Sequence, residues 1–220
     1  MKILVSWSSG KDSAWALHRL RSSHPNRVAG LITTVNEAAG RVAMHAVREA
    51  LLTAQAEAAG LPLHVVRIPS PCPNEVYAER MAAFVGGAAA AGVTHIAFGD
   101  LFLDDVRRYR EDHLRGSGIE PLFPVWGEPT ARLAEEMIDG GIGARLTCVD
   151  PRKLDASFAG RAFDRSLLND LPPSIDPCGE NGEFHTFVHA GPMFNRAIRI
   201  EPGIVVERDG FVFADLLPAG

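Results

Sequence analysis

Cysteine is scarce in this chain of 220 residues, and Cys72, Cys148 and Cys178 form neither an even set nor a CxxC pair. That excludes a disulfide framework as the basis of the fold and agrees with a reducing cytoplasm. No apolar run approaches the roughly 20 residues of a membrane-spanning helix. The charged Lys11 and Asp12 follow the first apolar residues too closely for a secretory leader. Charge of one sign is not in large excess: the net charge is -5, so no general affinity for nucleic acid or anionic membrane is expected. Internal repeats and low-complexity tails are absent. The balance of 46% hydrophobic and 22% charged residues is that of an ordinary globular chain, long enough for one large domain or two small ones.

The chain is organised around residues 2–20, KILVSWSSGKDSAWALHRL. An apolar run, Ile3-Leu4-Val5, leads into small residues, then Lys11-Asp12-Ser13, then a helical pattern from Ala14. Strand, small-residue turn and helix together present backbone N–H groups to an anion. Serine hydroxyls add hydrogen bonds and Lys11 adds positive charge. Asp12 or Ser13 is suited to cap the helix, whose dipole favours a phosphate. The pattern lacks the G-x-x-x-x-G-K-[ST] of a Walker A loop. Residues 8–13, SSGKDS, resemble instead the PP-loop of the ATP pyrophosphatases, commonly S-G-G-x-D-S, with Ser9 where that pattern has its first glycine. A positive φ there would strain a serine. The bland alternative is an ordinary strand-to-helix turn.

Further along, strands are expected at 28–34, 63–68 and 95–98, and helices at 45–59 and 74–91. The loop between the first two of these elements spans 36–41, and Gly60 and Pro62 stop the first helix. PSPCP at 69–73 reads as an irregular connector, and Asn74 as a helix cap. Tyr77, Met81, Phe84, Val85 and Ala88 share one helical face and read as core. Thr34 and the pair Gly99-Asp100 stand at strand carboxyl ends, where open parallel sheets bind ligands. Residues 101–118 are strongly charged: a solvated helix face or, given their place after Gly99-Asp100, partly a wall of the same site. The alternation implies right-handed βαβ units and a parallel sheet. LFPVW at 122–126 reads as an edge strand or crossing segment, Thr130 as a cap, and the domain boundary falls here. Beyond it are expected a helix at 130–139, a strand at 144–149, helical fragments at 155–158 and 164–170, and strands over 197–217. Asp209-Gly210 signals a hairpin within those last strands.

A second polar cluster, DPCGENGEFHTFVHAGPMF at 176–194, gathers Asp176, Cys178, Glu180, Asn181, Glu183, His185 and Thr186. Zinc is disfavoured because no second ligand pair has suitable spacing. A Cys178–His185 nucleophilic set, a packed thiol and a purely structural loop all remain open. At strand spacing, Glu183 and His185 would share one side, with Phe184 and Thr186 on the other.

The segments SWSSGKDSAWAL, FGDLFLDDVRRYRE, PLFPVWG and the 176–194 stretch, in this order, resemble the diphthine–ammonia ligase family. That family is the N-type ATP pyrophosphatase group of the adenine nucleotide α-hydrolase superfamily. The likeness covers residues 2–194; the PP-loop alone indicates only the superfamily, and GENGEFHTF is the more specific signal. The resemblance implies an α/β fold: a parallel-sheet, Rossmann-like ATP-binding domain over 1–127, then a smaller α+β acceptor domain over 128–220. It implies an enzyme that adenylates a carboxylate with ATP and Mg²⁺, releases pyrophosphate, and forms an amide with ammonia. Nucleotide contacts are expected from Ser6, Ser8, Ser9, Gly10, Lys11, Asp12, Ser13, Thr34, His45, Gly99 and Asp100, with Asp12 reaching the metal. Lys11, Asp12, Glu180, Glu183 and His185 are the expected catalytic set. Partners are ATP, ammonia and a carboxylate acceptor of open identity, with a homodimer allowed and neither membrane nor nucleic acid expected. Two other classes remain: a PP-loop tRNA-modifying enzyme, and a nucleotide-binding protein without turnover.

Overall fold

Short apolar runs build the first sheet of the computed structural model, which describes residues 1–37, 41–42 and 47–219. The candidate His45 lies outside the described residues. In chain order the elements are β1 (Ile3–Ser6), α1 (Lys11–Ser23), β2 (Val28–Asn36), β3 (Arg41–Val42), α2 (Glu49–Ala59) and β4 (Leu63–Ile68). Then follow α3 (Asn74–Ala90), β5 (His95–Ala97), α4 (Asp104–Leu114), β6 (Glu120–Leu122) and α5 (Thr130–Asp139). The last are β7 (Gly143–Val149), a short 3₁₀ turn, α6 (Arg165–Asp170), β8 (Phe184–Ala190), β9 (Ile200–Arg208) and β10 (Phe211–Pro218).

Parallel pairings join β4 to β2, β2 to β1, β1 to β5 and β5 to β6. The chain therefore works outward from β1 to β4, then returns to the other side of β1 as β5. That reversal leaves a crevice at the carboxyl ends of β1 and β5, the place where doubly wound sheets hold ligands. The short β3 pairs antiparallel with the end of β2. The second sheet is antiparallel in the order β8-β7-β10-β9. Its β9–β10 hairpin turns at Asp209 and Gly210, both at positive φ (54° and 77°), as an Asp-Gly two-residue turn requires.

Two apolar layers hold this together. On one face of the first sheet Leu4, Ile32 and Ile96 pack against Val85 of α3 and Leu114 of α4. On the other, one cluster runs from Leu17 and Leu52 through Leu133 and Met137 to Leu146 and Phe187 of the second sheet. The two sheets thus share a core. Gln55, fully buried on α2, pins the junction: its Nε2 donates to the carbonyls of Ser9 (3.0 Å) and Val188 (2.7 Å), and its Oε1 accepts from the Trp7 indole (2.8 Å). Among the described residues no helix is long and apolar enough to cross a membrane.

Several expectations need correction. α2 begins at Glu49 rather than 45, and Asn36 and Arg41 belong to strands, not a loop. Asn74 and Thr130 do not cap; Pro73 and Pro129 hold the N-cap positions, and neither makes a side-chain cap bond. Neither Asp12 nor Ser13 caps α1, whose N-cap is Gly10. The edge strand near Pro124 is instead Glu120–Leu122, where Pro121 is tolerated because β6 ends the sheet. Tyr77 and Met81 are half-buried because they line a cavity between α3 and the sheet, and Phe84, also half-buried, packs against the core beside His64.

Candidate active site

The cavity beneath α3 has a volume of about 690 Å³ and sits over the carboxyl ends of the parallel strands. Its floor includes Ile32, Thr34 and Ile96; its far wall is Tyr77 and Met81 of α3 with Tyr109 and His113 of α4. A second, more polar cleft of about 270 Å³ adjoins it, lined by Lys11, Asp12, Ser13, Gly99, Asp100 and Glu180 among others. Ser6, Ser8, Phe98, Arg110 and His185 border both hollows.

The turn between β1 and α1 is held by its own hydroxyls and by the second sheet. Ser13 Oγ donates to the Gly10 carbonyl (3.0 Å) and lies 3.2 Å from Ser8 Oγ. Ser9 adopts φ 73°, the strained conformation its position in the pattern foreshadows. That φ turns the Ser9 carbonyl away from the cleft to accept from Val188 N–H (3.0 Å) and Gln55. Ser9 is fully buried, and neither it nor Gly10 is among the residues that border the hollows. The Lys11 N–H donates to Thr186 Oγ1 (3.1 Å), so β8 anchors the first turn of α1. Gly99 lies so close beneath that turn that a Cβ would stand 2.7 Å from the Asp12 carbonyl carbon and the Ser13 nitrogen. Only glycine permits this approach.

Lys11 is 2% exposed. Its Nζ donates to both Asp12 oxygens (3.0 and 2.9 Å) and to the Cys178 carbonyl, between the rings of Phe163 and Phe184. Burial opposes its charge, but Asp12 and Glu180 outweigh burial and its pKa lies above the ordinary lysine value. Lys11 is therefore a fixed cation at the cleft floor.

The 176–183 loop arches over the cleft from the second sheet. Asp176 Oδ2 accepts from the N–H groups of Cys178 (3.2 Å) and Glu180 (2.9 Å). Glu180 then reaches across to accept from Leu101 N–H at 2.7 Å. Burial pushes the Glu180 carboxyl up to about 7; the Leu101 N–H opposes this and Asp12 adds to it. Glu183 departs from expectation. β8 starts one residue later, and Glu183 Oε1 accepts from Asp176 N–H (3.1 Å) and Asn181 Nδ2 (3.2 Å). It is 2% exposed, borders neither hollow, and staples the loop. Phe184 and Thr186 are buried and His185 is half-buried, as alternation along β8 expects, and all three border the cleft. The Cys178 thiol donates to the Thr130 carbonyl (3.5 Å), and burial pushes its pKa up: it is a packed, protonated thiol rather than a nucleophile.

Burial, then the Lys11 charge, holds His185 down at about 4, so its imidazole is neutral at pH 7. The unfolded chain takes up this proton near the ordinary 6.5 while the folded chain does not. Stability therefore falls as pH drops from 6.5 towards 4. His185→Gln is expected to remove about 2 kcal/mol of the stability lost between pH 6.5 and pH 5. Urea midpoints of the two proteins at both pH values test this; parallel losses would contradict it.

The structure thus brings together Ser6, Ser8, Lys11, Asp12, Ser13, Thr34, Gly99, Asp100, Glu180 and His185 around adjoining hollows. Sequence reasoning missed the aromatic wall, Tyr77 and Tyr109, and the border residue Phe98, whereas Arg110 lies in the charged run that it allowed as a wall of the site. The usable signal was α4's position directly after Gly99-Asp100, with Tyr109 and His113 four residues apart on one face.

The diphthamide synthase N-terminal domain matches residues 1–121, and the diphthamide synthase C-terminal domain matches residues 129–212. The diphthine–ammonia ligases of Bos taurus and Homo sapiens are each 29% identical over 118 residues, covering 51% of this chain and 44% of theirs. That of Schizosaccharomyces pombe is 29% identical over 94 residues, covering 41% of this chain and 16% of its own. The chain thus matches less than half the length of these relatives. With both domains matched in order over nearly its whole length, the chain belongs to the diphthamide synthase family.

Proposed function

We propose that this protein is an ATP-dependent, AMP-forming amide ligase of the cytoplasm, with an ATP-binding part over 1–127 and an acceptor part over 128–220. The carrying observation is the continuity of the nucleoside-sized cavity with a cleft bordered by Lys11 and Glu180. A nucleotide has the same order: an apolar base, then a chain of charge. The free thiols Cys72, Cys148 and Cys178 suit a reducing compartment.

In this reading the base and ribose occupy the cavity, with Ser6 and Thr34 at the strand ends. The phosphates follow Ser8 and Ser13 down to Lys11, which neutralises the leaving pyrophosphate. A carboxylate oxygen of the acceptor attacks the α-phosphorus and the bond to the β-phosphate oxygen breaks. Ammonia then attacks the acyl carbon, gives a proton to Glu180, and AMP leaves. Glu180 suits this role because a base with pKa near the working pH is both available and effective. Neutral His185 is placed to orient the acyl group or ammonia, and Glu183 shapes the loop without touching either.

Mg²⁺ fits only as an ion carried on the phosphates. Among the described residues no three carboxylate, histidine or cysteine side chains converge as a metal cage. Both Asp12 oxygens are engaged by Lys11. Asp12 and Asp100 nevertheless border the cleft, and Mg²⁺ keeps several waters while taking one or two carboxylates. Bound there, it would neutralise phosphate charge.

Incubation with ATP, Mg²⁺ and ammonium, followed by chromatography, is expected to give AMP and pyrophosphate. Addition of a diphthine-bearing translocation factor tests whether the acceptor named for the relatives serves here. Steady ADP formation by pure protein would overturn the reading.

A further inference from the structure

Five side chains border both hollows, and Arg110 is the one with a permanent positive charge. It enters from α4. Its guanidinium carbon lies over the Phe98 ring, 5.0 Å from the centroid. Its Nε reaches Asp100 Oδ2 at 3.3 Å. A guanidinium held through Nε and stacked on a ring keeps its two terminal amines together as a fork, the geometry that suits paired phosphate oxygens. The other cation of the cleft cannot serve this border. Lys11 borders the inner cleft but not the cavity. His185, beside Arg110 on the border, is neutral at pH 7. An anionic group at the junction therefore meets one fixed countercharge.

We infer that Arg110 binds the α-phosphate of the nucleotide. This rests on the nucleotide reading above and adds to it a division of labour. In a nucleotide the α-phosphate is the unit between nucleoside and terminal phosphates, as the border is the zone between cavity and cleft. Lys11 is left to the terminal phosphates. Asp100 then acts as a positioning residue, orienting Arg110 rather than touching substrate.

AMP and adenosine, which differ by that phosphate, are the probes. Their affinities are measured by calorimetry for the wild type, Arg110→Lys and Arg110→Met, with thermal denaturation of each protein alone. The wild type is expected to bind AMP at least about tenfold more tightly than adenosine, as loss of a charge-assisted contact implies. Arg110→Met should erase that preference while holding adenosine within about twofold, because methionine keeps the apolar stem beside Phe98. Arg110→Lys should recover part of it, because lysine keeps the charge but not the fork or the stack. A preference for AMP retained in Arg110→Met overturns the assignment. So does equal binding of AMP and adenosine by the wild type, or joint loss of both ligands in Arg110→Met, which marks a structural role. A wild type that binds neither probe overturns the nucleotide reading itself.

Discussion

Lys11→Ala is expected to abolish the thermal shift produced by ATP and to lower the melting temperature of the free protein by about 6–12 °C. The structural cost follows from what Lys11 leaves behind. Asp12 loses the partner of both its oxygens, and the Cys178 carbonyl loses a donor. Breaking a buried pair on one side costs about 3–5 kcal/mol. The lower figure applies because Asp12 keeps 26% of its side chain exposed. At about 2–4 °C per kcal/mol for a chain of this size, the stated range follows. Two controls separate the structural from the ligand effect. Lys11→Ala/Asp12→Asn should regain part of the lost stability, since no unpaired charge is left, yet recover none of the ATP response. Because the Lys11 pKa is raised, its stabilisation is present throughout the neutral range and is lost only as pH rises past the ordinary lysine value. Glu180, which Lys11 attracts, ionises at about 7, so the structural deficit of the single variant should be larger at pH 8 than at pH 6. A variant that melts with the wild type and still responds to ATP would remove Lys11 from the site.

How much of this was legible in the sequence depended on whether the deciding forces were local. The strand at 63–68 and the helix at 130–139 match the structure at both ends, because apolar pattern and flanking breakers coincide there. The Asp209-Gly210 hairpin was readable from residue chemistry alone, whereas the positive φ at Ser9 was signalled only by the glycine of the PP-loop pattern it resembles. Caps were misread for a shared reason. Pro73 and Pro129 already supply the extended conformation an N-cap needs, so Asn74 and Thr130 fall one residue inside their helices. Side-chain direction was harder, since tertiary contacts set it. The Ser9 backbone is drawn inward by its carbonyl's bonds to Val188 and Gln55, residues far along the chain, and its side chain is buried with it. Glu183 looked like half of a strand-spaced pair, but the loop's own N–H groups claimed it before β8 began. Arg110 sat in a charged run that composition assigns to solvent, and the cavity between α3 and α4 exists only once both helices pack over the sheet.

Glu180→Gln is expected to lower ammonia-dependent AMP release by about 10²–10⁴-fold while making the protein more stable above pH 7. The two effects share one cause. Burial raises the Glu180 pKa from 4.5 to about 7. Between those values the unfolded chain releases a proton that the folded chain retains, so stability is greatest below pH 4.5 and falls as pH rises to about 7. At about 1.4 kcal/mol per pKa unit the loss amounts to about 3 kcal/mol, and above pH 7 it is constant. Glutamine keeps an oxygen to accept from Leu101 N–H and never ionises, so it escapes this penalty. The same substitution removes the proton acceptor for attacking ammonia. The wild-type rate, measured with free ammonia held constant, should climb through pH 7 and level off as Glu180 ionises. The variant should show a low, flat profile in its place. Urea midpoints at pH 5 and pH 8.5 give the second readout: the wild type should lose stability between them relative to the variant. If the variant is slow but no more stable at pH 8.5, Glu180 is not the buried, raised carboxyl described here. If it is more stable but fully active, another group takes the proton.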